Sequence, residues 1–112
     1  LGDRSGVVVV LVTAPSSDVA ASLVRTLVER RLIACGTILP GATSIYRWDG
    51  AIEEANEVQL VLKTAAERVE ALTGAMAQLH PYENPEVVVL PAVGGSERYL
   101  AWVLAETDNN NT

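Results

Sequence analysis

VVVVLV, residues Val7 to Val12, decides how this chain folds. Six consecutive apolar residues, all but Leu11 β-branched, ask for burial on both faces of an extended segment, which marks a strand inside a sheet. Thr13-Ala14-Pro15-Ser16-Ser17 interrupts the run and supplies an N-cap for a helix. From Asp18 to about Arg31 the apolar positions Val19, Leu23, Leu27 and Ala20, Val24, Val28 recur at i, i+4, so the segment reads as an amphipathic helix.

Working outward, Ile33 to Tyr46 reads as a strand interrupted by Pro40-Gly41, which predicts a bulge or kink. Asp49-Gly50 predicts a tight hairpin turn, and Glu53 to Thr64 the returning strand. Thr64-Ala65-Ala66-Glu67 has the spacing of a capping box. Val69, Leu72, Met76 and Leu79 then continue as a helical stripe, stopped at His80-Pro81. Glu86 to Leu90 reads as a last strand, and Ser96 caps a short C-terminal helix carrying Tyr99, Leu100, Trp102 and Val103.

The order is β-α-β-β-α-β plus a terminal helix, an α+β fold of the split β-α-β, ferredoxin-like kind. Residues 7–107 form a single domain, with 1–6 and 108–112 as flexible ends. Right-handed crossovers place both helices on one side of the sheet. Yet the first and last strands are apolar in both directions. Some five Val or Leu side chains left in water would forgo roughly 8–15 kcal/mol of burial. With no spare element in the chain, a second copy of it is the cover this reading expects.

Composition narrows the partners. Fourteen acidic against 8 basic residues give a net charge of −6, and the one dense basic pair, Arg30-Arg31, sits beside Glu29. No basic face is available to replace counterions, so neither nucleic acid nor an anionic membrane is an expected partner. The apolar run is too short to span a bilayer. A single cysteine, Cys35, rules out an intramolecular disulfide.

Several separated segments bear a resemblance to one family: Thr13-Ala14-Pro15; Ala34-Cys35; Pro40 through Gly50; Glu57 with Leu62-Lys63-Thr64; His80-Pro81-Tyr82-Glu83-Asn84-Pro85-Glu86; and Tyr99-Leu100-Ala101-Trp102. Together they resemble the CutA family, named for divalent-cation tolerance. The resemblance implies a homotrimer similar in architecture to PII signalling proteins, cytoplasmic, associated with copper or other divalent cations in the response to metal, with no established reaction and no organic cofactor. Gly36-Thr37 departs from the bulky residue and Asn usual after the family's cysteine.

Cys35 and His80 are the soft and borderline donors that suit copper or zinc, and Glu83 adds a carboxylate. One chain offers too few ligands for a closed site, so a metal here is held weakly or shared between copies. Both residues also have a structural reading: Cys35 as a small buried hydrophobe, His80 as a helix C-cap. A second constellation, Tyr46, Trp48, Lys63, Tyr82 and Glu86, combines polar-tipped aromatics with charges at strand ends. The resemblance implies that these line the groove between subunits, either sealing it or binding a small effector or a protein partner, as in a PII-like signalling or scaffold trimer. Cys35 as nucleophile and His80 as base would need an orienting third group and an oxyanion site. Nothing in the sequence supplies them, so the chain is read as a binding protein and not an enzyme.

Overall fold

In the computed structural model, residues 5–109 are described, so the predicted flexibility of 1–4 and 110–112 falls outside them. The elements run β1 (Val7–Ala14), α1 (Ser17–Glu29), β2 (Cys35–Trp48), β3 (Ala51–Ala65), a 3₁₀ turn (Ala66–Arg68), α2 (Val69–Leu79), β4 (Val88–Pro91) and α3 (Glu97–Glu106). The sheet order is β2-β3-β1-β4, every neighbouring pair antiparallel. This is the predicted α+β, ferredoxin-like arrangement.

Local chemistry sets the boundaries. Ser16 accepts from the Val19 N–H and starts α1; Ser96 does the same for Tyr99 and α3. α1 is closed off just past its C-cap Arg30 by Arg31, which takes φ 57°: the Arg31 N–H donates to the Val28 carbonyl and the Leu32 N–H to the Leu27 carbonyl, a Schellman motif. Asp49 and Gly50, at φ 51° and 81°, make the two-residue primed turn of the hairpin. The β2–β3 register shifts between Leu39 and Ala42, so Pro40-Gly41 is a bulge, as predicted.

The capping-box expectation at Thr64 is corrected. Thr64 is fully buried in β3, and its hydroxyl donates to the Leu32 carbonyl at 2.8 Å. A buried hydroxyl needs that bond more than an exposed helix start needs a cap, and the turn that follows begins at Ala65 with no side-chain cap.

Alternation along the central strands sorts the two faces. Val8, Val10, Val12 and Ala14 of β1, with Val58, Leu60 and Leu62 of β3, meet Ala20, Leu23 and Leu27 of α1 and Leu72 and Met76 of α2. Contact is close: a Cβ on Gly36 would lie 2.8 Å from Leu62 and 2.9 Å from Val24. Glycine is the residue that lets α1 settle on β2.

The other face is divided. At one end Val7 and Ala34 pack under Val103 of α3, with Leu100 and Ala92 beside them. The expectation that no element of the chain covers this face is therefore corrected: α3 does so at the Val7 end. Arg31 holds it there, donating to the Glu106 carbonyl at 3.1 Å, with the Glu106 carboxylate 3.8 Å away. Ser5 and Gly6, expected to fray, are tied down as well. The Ser5 hydroxyl accepts from the Val7 N–H and donates to the Ala92 carbonyl, and the Gly6 carbonyl accepts from the Ala66 N–H.

Beyond α3 the face is open. Val88 and Leu90 of β4 and Leu39 of β2 are exposed. Because β1 pairs only with Val58–Ala65 of β3, the outer parts of β2 and β3 pair with each other alone, as a two-stranded ribbon. Its large side chains are bare: Ile45 is 67% exposed, Ile52 63% and Trp48 53%. An isolated ribbon of this kind is marginal in water without something packed against it.

Candidate functional site

Strand register places Cys35 directly opposite Lys63, and Lys63 opposite Val9, in one row across the sheet on the face that α3 partly covers. Tyr99, on the first turn of α3, leans onto this row, and its hydroxyl lies 3.4 Å from the Cys35 sulfur. Contact with Cys35, followed by burial, pushes the Tyr99 phenol above its ordinary range. Trp102, one turn on, stacks at a tilt with Tyr99 at 5.6 Å between centroids. Cys35 is thus a half-buried thiol beside a phenol and a lysine strand position, at the border between the α3 contact and the open face.

The second locus lies at the opposite end of β1. His80 follows α2 and is buried. Its Nε2 meets the Thr13 carbonyl at 2.7 Å, and its Nδ1 accepts from the Tyr82 N–H at 3.0 Å. A carbonyl can only accept and an amide N–H can only donate, so the ring carries its proton on Nε2 and uses both nitrogens. Tyr82 packs against the imidazole, with centroids 4.7 Å apart. Its hydroxyl donates to Glu57 Oε2 at 2.7 Å. Burial first, then the bond to the Glu57 carboxylate, hold the Tyr82 phenol protonated well above the usual range; the nearby Tyr46 adds to the effect.

The fold does not bring Cys35 and His80 together. Cys35 shares a row with Val9, whereas His80 is bonded to Thr13, four residues further along β1, or roughly 13 Å. Glu83 and Glu86 are exposed on the segment leading to β4. Among the described residues no group of three or more His, Cys, Asp or Glu could hold a metal ion. A resident divalent cation therefore does not fit the donors of one chain: the thiol stands alone and the imidazole is fully engaged.

The predicted groove residues are spread along the sheet. Tyr46 pairs with Glu53, and Trp48 with Ala51 at the ribbon tip. Lys63 is twelve residues along β3 from Ala51, roughly 40 Å away. No single copy can place Trp48 and Lys63 in one groove. Tyr82 and Tyr46 do approach one another, around Glu57.

Glu57 and Tyr99 were absent from the predicted site. Glu57 had a signal: with Gln59 and Lys63 it is one of the polar residues of β3 on the side away from the helices. The contact of Tyr99 with Cys35 crosses 64 residues and has no local signature. A cleft of about 240 Å³ between α1 and α2, lined by Val19, Ser22, Leu23, Thr26, Leu79 and Pro81, contains none of the candidates.

These features define a class: a small α+β sheet protein whose second face is partly covered by its own C-terminal helix and otherwise open. The family described as CutA1 divalent ion tolerance protein matches residues 8–106, and the chain belongs to it. A divalent-cation tolerance protein CutA of Pectobacterium atrosepticum is 46% identical over 98 residues, covering 88% of this chain and 89% of that protein. Among solved structures, the divalent cation tolerance protein of Thermus thermophilus superimposes with a TM-score of 0.88 at 44% identity, covering 90% of this chain and 98% of that one. A protein of Archaeoglobus fulgidus, 30% identical with a TM-score of 0.84 and coverage of 87% and 94%, is named as periplasmic. Family membership alone therefore does not assign the cytoplasm. Among the described residues no helix is long and apolar enough to cross a membrane.

Proposed function

We propose that this protein binds divalent cations, copper among them, in a metal-tolerance response, and does so as a homotrimer whose open sheet faces meet around a three-fold axis. The observation that carries the reading is the bare apolar strip of Val88, Leu90, Leu39 and the ribbon residue Trp48 on that open face, with Ile45 and Ile52 bare on the ribbon's other side, in a chain whose relatives are named for divalent-cation tolerance. A large apolar side chain fully sheltered from water contributes about 1.5–3 kcal/mol, and a half-exposed one roughly half of that. Several together favour association strongly.

Cys35 is the anchoring ligand, because a thiolate suits copper or zinc and this one lies at the edge of the open face. The remaining donors come from neighbouring copies, Glu83 among them. His80 joins only by giving up its bonds to Thr13 and Tyr82. The separation of Cys35 from His80 supports binding over catalysis, and the proposed compartment is the cytoplasm. Calorimetric titration with Cu²⁺ and Zn²⁺ tests the assignment: stoichiometric binding by the wild type should be lost in Cys35→Ala. Unchanged binding in that variant would reject Cys35 as the anchor.

A second reading is favoured by one observation, the acidic and aromatic ledge of Glu57, Tyr82 and Tyr46. Here the trimer is a PII-like signalling or scaffold protein, and the inter-subunit groove holds a small effector or a protein partner. A metabolite that raises the melting temperature in the presence of a chelator, and fails to do so in Tyr82→Phe, would favour it.

A further inference from the structure

We draw no further inference here: the strongest candidate, the cluster of Tyr46, Glu53, Glu57 and Tyr82 on one side of the β2–β3 ribbon, belongs to the groove already described and has, among the described residues, no second feature that points to a ligand.

Discussion

The Tyr82 hydroxyl donates to Glu57 Oε2 at 2.7 Å, tying the segment after α2 to the base of the β2–β3 ribbon. A hydrogen bond to a carboxylate contributes about 1.5–3 kcal/mol when sheltered, and less where solvent reaches it, as here. Tyr82→Phe should cost about 1 kcal/mol in denaturant unfolding.

The same contact sets a pH dependence. Both Tyr82 and Tyr99 ionise above the ordinary tyrosine value of 10.0 in the folded protein. A raised folded-state value means that the stabilisation is fully present below the unfolded value and is lost as pH rises through the folded one. Stability should hold up to about pH 10 and fall above it. Ultraviolet titration should show Tyr82 and Tyr99 ionising late; ionisation of both near the ordinary value would contradict this.

His80 serves two backbone groups. His80→Ala leaves the Thr13 carbonyl and the Tyr82 N–H without their partner, at about 1–3 kcal/mol for each that stays dry. The variant should therefore melt well below the wild type, whereas Cys35→Ala should lose metal with little loss of stability. The reverse pattern in melting and titration would overturn both assignments.

Arg31 combines a left-handed backbone with a tether to α3. Arg31→Gly relieves about 1 kcal/mol of strain while losing the tether; Arg31→Ala loses the tether and keeps the strain. Urea unfolding should rank Arg31→Ala below Arg31→Gly by about 1 kcal/mol. In both, hydrogen exchange across residues 97–106 should accelerate.

Gly36→Ala would drive a Cβ to 2.8 Å from Leu62 and 2.9 Å from Val24. Overpacking of this kind costs about 1–3 kcal/mol. The melting temperature should drop with the helix content of the native state unchanged.

Much of this was legible in the sequence because the signals were local. Serines ahead of α1 and α3, Asp49-Gly50, the bulge at Pro40-Gly41 and the i, i+4 stripes each fix their own element. What failed depended on distant partners. Thr64 matches a helix cap until the Leu32 carbonyl claims its hydroxyl. α3 is identifiable as a helix, but its place over Val7 depends on Arg31 reaching across 75 residues. His80 suggests a ligand until Thr13, a backbone acceptor that any residue would supply, occupies its Nε2.

Light scattering coupled to size exclusion tests the account most directly. If copies shelter the bare strip of β4, β2 and the ribbon, the native mass is about 36 kDa, three times the 11.9 kDa chain. A cooperatively folded species of 11.9 kDa at low micromolar concentration would contradict it.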